Sequence, residues 1–250
     1  KAIDKSFGFG PFGRNLQHLA YKLYARAKKI QGPYEVLTPN ATFAPWLSDK
    51  NFLDTYKKVQ NYTLVNILQC YGLWSMVGQS AKLSGALIEV GVWRGGTGAI
   101  IGKRAALCGI KEPVYLCDTF TGVVKATNTD PDYRGGEHRD TSAHTVKKLM
   151  DELNLDNVRI LEGIFPEETA HMIQEKQFRF CHIDVDVYLS AKDIVDWIWD
   201  RMVIGGALVF DDYGFRECAG ITYYVNELSA RSDNLFIYNL NGHGIVVKIK

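Results

Sequence analysis

Four carboxylates close two strand-like runs, His182-Ile183-Asp184-Val185-Asp186-Val187-Tyr188 and Val209-Phe210-Asp211-Asp212-Tyr213. Side chains alternate along a strand, so Asp184 and Asp186 share a side. Like charges gathered at one sheet edge are unfavourable unless one is protonated or a cation lies between them. Donors that are all oxygen favour a hard dication such as Mg²⁺, which keeps waters and uses few carboxylates. A single Asp at such a boundary reads first as a helix N-cap or an exposed loop acid. The pattern Asp-x-Asp followed by Asp-Asp on successive strand ends favours the dication.

A second cluster opens with Leu87-Ile88-Glu89-Val90-Gly91-Val92-Trp93-Arg94-Gly95-Gly96-Thr97-Gly98. Glycines between a strand and a helix let a ligand approach the backbone, and the helix start beyond offers free N–H groups. Asp118 closes the next strand, where an acid accepts hydrogen bonds from ribose hydroxyls. Trp93 stands at the second glycine position of G-x-G-x-x-G, which weakens the case for a dinucleotide pyrophosphate. Glu89, just ahead of the turn, suits a cationic ligand end such as the amino group of a methionine moiety. The competing reading is a tight turn that only packs helix on sheet.

The elements that must carry these residues follow from periodicity. Strands are expected at Ala86–Val92, Pro113–Cys117, Val158–Glu162, Phe178–Val185 and Gly206–Phe210. Helices are expected over 97–108, 141–154, 166–176, 190–202 and 216–231. Leu235–Leu240 and Ile245–Ile249 form a closing hairpin through Asn241-Gly242. This alternation predicts an α/β, Rossmann-like, doubly wound sheet of seven mostly parallel strands with a C-terminal antiparallel hairpin. Residues 83–250 form that core. Residues 1–82 read as an N-terminal helical arm, with a helix over 14–30 and a helical stretch from 49 to 80 broken near Asn61. The arm is too apolar on one face to stay free, so it is expected to act as a lid or as a homo-oligomer contact. A simple extension of the fold is the equal alternative.

The chain has 250 residues, 46% of them hydrophobic, and a formal net charge of +1. The charge gives no electrostatic case for nucleic acid or an anionic membrane, and no run is long enough to span one. The five cysteines form no C-x-x-C pair, which fits reduced thiols in the cytoplasm better than a disulfide framework or a zinc site.

The run Glu89–Gly96 closely resembles the E-T-G-V-W-R-G-G signature of the macrocin O-methyltransferase family. Three further blocks resemble that family in order: Cys117–Gly122, Val158–Gly163, and His182–Tyr188 followed by Gly205-Gly206 and Asp211–Tyr213. The resemblance implies S-adenosylmethionine as donor, Mg²⁺ as metal and a small-molecule hydroxyl, in a sugar moiety of a secondary metabolite, as acceptor. It implies cofactor contacts from Glu89, Gly91, Val92, Trp93, Arg94, Gly95, Gly96, Asp118, Thr119, Phe120, Gly163 and Asp184. It implies metal ligation by Asp184, Asp211 and Asp212, with Asp186 as the general base. Val90, His182 and Val185 depart from the family's Thr, Arg and Gly.

Methyl transfer is an in-line displacement that needs an aligned acceptor oxygen, exclusion of water and removal of a proton. His138 and His144, in or beside the polar loop 121–140, are alternatives to Asp186 for the proton. His182 reads as a satisfied core residue. Tyr188 and Tyr213 flank the acids, to orient substrate or to pack. Three other readings stay open: a catechol-type O-methyltransferase, an NAD-dependent oxidoreductase, and a non-catalytic methyltransferase-like binding protein.

Overall fold

The structure, a computed structural model, describes residues 19, 20, 22–27, 34 and 42–250. It divides into two compact units, 1–43 and 44–250. In the first, residues 19, 20 and 22–27 are helical. Most of the helix expected over 14–30 lies outside the described residues.

The second unit holds a seven-stranded sheet. Its strands are β1 (Ala86–Val90), β2 (Val114–Asp118), β3 (Val158–Glu162), β4 (Phe178–Ile183), β5 (Met202–Phe210), β6 (Asn234–Asn239) and β7 (His243–Lys248). Six helices accompany them: α1 (Lys50–Val59), α2 (Ile67–Ser80), α3 (Gly96–Leu107), α4 (Ala143–Glu152), α5 (Tyr188–Ile198) and α6 (Ala219–Ser229). The strand order is β3-β2-β1-β4-β5-β7-β6. The first five run parallel and β7 pairs antiparallel with β5 and β6, so the expected doubly wound architecture is present. The order reverses between β1 and β4, and it is at such a switch point that α/β sheets open a crevice beyond the strand ends.

Side-chain alternation divides the core into two layers. Leu87, Leu116, Phe180, Val209 and Ile245 pack with Phe52, Leu73, Trp74, Ile100, Ile101 and Val146 on one face. Ile88, Cys117, Cys181, Ile183, Leu208, Phe210 and Val246 pack with Ile194, Val195, Ile198, Ile221 and Val225 on the other. The same parity puts Glu89, His182 and Asp211 on the first face, beneath α2.

Helices α1 and α2, which the sequence groups with the arm, belong to the unit that holds the sheet. The helical stretch from 49 to 80 is indeed two helices. Asp49 caps α1 through Phe52 N, and Asn66 caps α2 through Leu68 N and Gln69 N. The helix expected over 166–176 is absent: only a short 3₁₀ turn, Ala170–Met172, forms there. The Glu168 carboxylate accepts the Ile164 N–H, and single-turn bonds follow from Glu168 N to Ile164 O and from Ala170 N to Pro166 O. The segment closes on itself instead of propagating. β1 ends at Val90 rather than Val92 because Gly91 turns at φ 86°.

Candidate active site

Gly91 sets the floor of the site. A Cβ built there would lie 1.6 Å from the carbonyl oxygen of Asp184, so only glycine lets the end of β1 pass the end of β4. Beyond it Asp118 gathers the turn. Its Oδ2 accepts the N–H groups of Val92 at 2.7 Å and Trp93 at 2.8 Å, and its Oδ1 accepts that of Phe120 at 2.7 Å. Oδ2 thus has both lone pairs engaged, and Oδ1 keeps one acceptor site, which leaves Asp118 able to serve a ligand hydroxyl.

A cavity of about 260 Å³ lies over the strand ends. Gly91, Val92, Trp93, Asp118, Thr119 and Gly163 line it, and so do Asp184, Asp186, Asp211 and Asp212. Glu89, Arg94, Gly95, Gly96 and Phe120 do not. Glu89 is fully buried and its Oε1 stands 2.8 Å from His182 Nδ1. Arg94 pairs with Asp140. Gly95 begins α3 at φ 91°, and Gly96 N donates to Tyr62 O at 2.9 Å. That last bond ties the α1–α2 connection to the turn and makes Tyr62, Thr63, Leu64 and Val65 a wall of the cavity. The sequence offered no signal for that wall beyond the helix break itself.

The strand order fixes a polarity across the cavity. Cys117, Ile164 and Phe165 bring apolar surface from the ends of β2 and β3, and the carboxylates stand on the β4–β5 side. One oxygen from each of Asp184, Asp211 and Asp212 lies within 4.8 Å of the others. Burial, then the charges of Asp211, Asp212 and Asp186, push the Asp184 carboxyl well above the usual range. Burial, with Asp186 and Asp211, does the same to Asp212. Asp212 Oδ2 is also buried without a hydrogen-bond partner. Acids that repel one another, with a buried oxygen unspent, are the donor set a hard dication satisfies.

Asp211 is different. Burial alone would raise its carboxyl, but His182 and His243 outweigh burial and hold it below the ordinary range. His243 Nε2 stands 3.0 Å from Asp211 Oδ1, and His182 Nε2 stands 3.5 Å from the same oxygen. Burial disfavours charge on His182, yet the carboxylates of Asp211 and Glu89 prevail and push its pKa up to about 9. His182 is buried, as expected of a core residue, but both ring nitrogens face carboxylates at the edge of the acidic cluster.

Asp186 adopts φ 64° and accepts the Tyr133 hydroxyl at 2.7 Å. Burial raises its carboxyl against the opposing hydrogen bond from Tyr133. Cys218 Sγ stands 3.8 Å from the same oxygen. Tyr133 belongs to the polar loop 121–140, which is pinned down over the site. Ser190 Oγ donates to Val124 O at 2.9 Å, Asp130 Oδ1 accepts Tyr188 N at 2.8 Å, and Lys125 bridges Glu167 and Asp193. Asp130 thereby serves the start of α5, whose own preceding residue Val187 supplies no side-chain cap. His138 lines the cavity, whereas His144 does not. Tyr188 and Tyr213 turn away from the acids to Glu227 and Asn226. Gln69, Tyr133, Cys218 and His243 were missed by sequence reading, since no spacing joins them to the acids.

A family model described as macrocin-O-methyltransferase (TylF) matches residues 72–233. The chain is 27% identical over 165 residues to mycinamicin III 3''-O-methyltransferase of Micromonospora griseorubida, covering 60% of this chain and 64% of that one. It is 29% identical over 146 residues to 8-demethyl-8-(2,3-dimethoxy-alpha-L-rhamnosyl)-tetracenomycin-C 4'-O-methyltransferase of Streptomyces olivaceus, covering 54% and 55%. The chain thus spans less than two thirds of the length of either relative. Among solved structures, the O-methyltransferase NovP superposes with a TM-score of 0.66 at 21% identity, over 76% of this chain and 82% of that one. The calicheamicin methyltransferase CalS11 gives 0.58 at 18% identity, over 87% and 98%. Both share the fold.

Proposed function

The chain belongs to the macrocin O-methyltransferase family, and from that premise we propose that it moves the methyl group of S-adenosylmethionine to a hydroxyl of a small molecule, in a sugar moiety of a secondary metabolite. The relatives support this acceptor class, since one is named for a rhamnosyl tetracenomycin and a 4'-O-methyl transfer. The observation that carries the reading is the meeting of the Asp184, Asp211 and Asp212 oxygens within 4.8 Å, in the same cavity as Asp118.

When bound, the donor supplies an electrophilic methyl group, and a Mg²⁺ ion held by Asp184, Asp211 and Asp212 supplies positive charge against which a hydroxyl releases its proton more readily. Asp118 and Thr119 take the ribose side of the donor, and the Gly91–Trp93 turn admits it close to the backbone. Asp186 accepts the acceptor's proton, with Tyr133 holding the carboxylate at one oxygen. The loop 121–140 and residues 62–65 wall the cavity and limit water at the reacting atoms. Glu89 acts indirectly in this reading, by holding His182.

The five cysteines are free thiols, which supports a reducing, cytoplasmic setting. No helix among the described residues is long and apolar enough to cross a membrane. A lid or homo-oligomer role stays part of the proposal for the arm.

The test is incubation with S-adenosylmethionine, Mg²⁺ and a panel of glycosylated metabolites, followed by mass spectrometry. Gain of one methyl group on a sugar, lost in excess chelator, is expected. No methylated product from any acceptor, or full activity in chelator, overturns the reading or its metal part respectively.

A further inference from the structure

Two hydrogen-bonding side chains and a third ring nitrogen, from three separate elements, converge on one oxygen beneath the acidic cluster. His243 Nε2, at the start of β7, stands 3.0 Å from Asp211 Oδ1. Gln69 Nε2, in the first turn of α2, stands 3.3 Å from that oxygen and 3.3 Å from the Asp211 carbonyl oxygen. His182 Nε2 stands 3.5 Å away, and its Nδ1 is engaged by Glu89. A carboxylate oxygen only accepts, so Gln69 Nε2 and His243 Nε2 donate to it.

Packing alone does not account for His243. It is fully buried, and its Nδ1 has no hydrogen-bond partner. A buried ring with one nitrogen unsatisfied costs stability, which an apolar side chain of similar shape would not. Gln69 is equally particular. It is buried, and its Oε1 accepts the side-chain amide of Asn66, the residue that caps α2. The amide is thereby oriented with its N–H groups toward Asp211.

We propose that His243 and Gln69 are positioning residues of the dication site. They saturate Asp211 Oδ1, which fixes the carboxylate's rotation and turns its second oxygen to the ion shared with Asp184 and Asp212. The C-terminal hairpin and α2, neither of which supplies a metal ligand, then set the affinity of the site. Groups that orient ligating carboxylates typically change metal affinity 10–100-fold when removed. The inference rests on the dication reading of the previous section.

The experiment measures Mn²⁺ affinity and S-adenosylmethionine affinity separately, by calorimetry on the full chain. The variants are His243→Leu, Gln69→Leu and His243→Gln. His243→Leu and Gln69→Leu are expected to lose roughly 10–100-fold in Mn²⁺ affinity while donor affinity stays unchanged. His243→Gln, whose amide can donate from a similar position, is expected to recover part of the loss. Native Mn²⁺ affinity in both leucine variants overturns the positioning role. Parallel loss of Mn²⁺ and donor binding in all three variants marks a merely structural role and overturns it too. Should His243→Leu fail to fold, Gln69→Leu and His243→Gln decide by the same two affinities. Failure of the unsubstituted protein to bind Mn²⁺ overturns the underlying dication reading instead, so the two failures are distinct.

Discussion

Tyr133 donates its hydroxyl proton to Asp186 Oδ1 across 2.7 Å, from a loop residue to a strand-end acid 53 positions away in the chain. Asp186 sits at φ 64°, a left-handed conformation that costs an ordinary residue free energy and marks a constrained position. The bond fixes one oxygen of the carboxylate and leaves the other for a proton. Asp186→Asn is therefore expected to lower kcat by about 10²–10⁴-fold, with donor affinity retained. Tyr133→Phe should cost about tenfold, the value of one hydrogen bond to a charged group. Single-turnover kinetics beside a donor titration check both. Native kcat in Asp186→Asn would pass the role to His138, which lines the same cavity.

Charge repulsion predicts a trade between stability and turnover at Asp184. Its carboxyl is raised by burial and by Asp211, Asp212 and Asp186, so with the dication removed it opposes the folded state. Asp184→Asn should melt no lower than the unsubstituted chain in chelator, and higher if the repulsion is not relieved by protonation. It should also lose methyl transfer. Thermal melts with and without Mg²⁺ read the first effect. An Mg²⁺-dependent rise in melting temperature equal in both proteins would count against ligation by Asp184.

Asp118 binds the turn and, in the proposed function, the ribose. Asp118→Ala releases the N–H groups of Val92, Trp93 and Phe120. Donor affinity should fall tenfold or more, on the order of 1.5–3 kcal/mol for hydrogen bonds to a charged group. An unchanged donor titration would remove the ribose assignment.

Gly91→Ala tests whether the switch point tolerates any side chain. The added Cβ would lie 1.6 Å from Asp184 O, at φ 86°. Backbone must move, and a loss of about 1–3 kcal/mol in unfolding free energy is expected. Because Asp184 is displaced, Mn²⁺ affinity should fall with it. Denaturant melts and metal titration measure the two effects.

Local pattern was enough for much of the fold. β3 matches its expected bounds, and β1, β2 and β4 differ from theirs by no more than two residues at either end. β5 was read short: it begins at Met202, since Gly205 and Gly206 interrupt the apolar run that signals a strand. The helix expected over 166–176 failed because apolar spacing there did not register the competing pull of Glu168 on the backbone. The turn at Gly91 and the acids at 118, 184, 211 and 212 were legible because each stands at the end of an apolar run, where chemistry is written next to structure.

The amino-acid order by itself determined the alternation of strands and helices and the acids at the strand ends, since both follow from contacts within a few residues. Only the tertiary structure decided which strand ends meet. Pairing β1 with β4 sets Glu89 opposite His182, and pairing β5 with β7 brings His243 to Asp211. Gln69 reaches the same acid from 142 positions away. These meetings depend on strand order and register, where a slip of one residue would turn Glu89, His182 and Asp211 to the opposite face. Period alone carries no record of either.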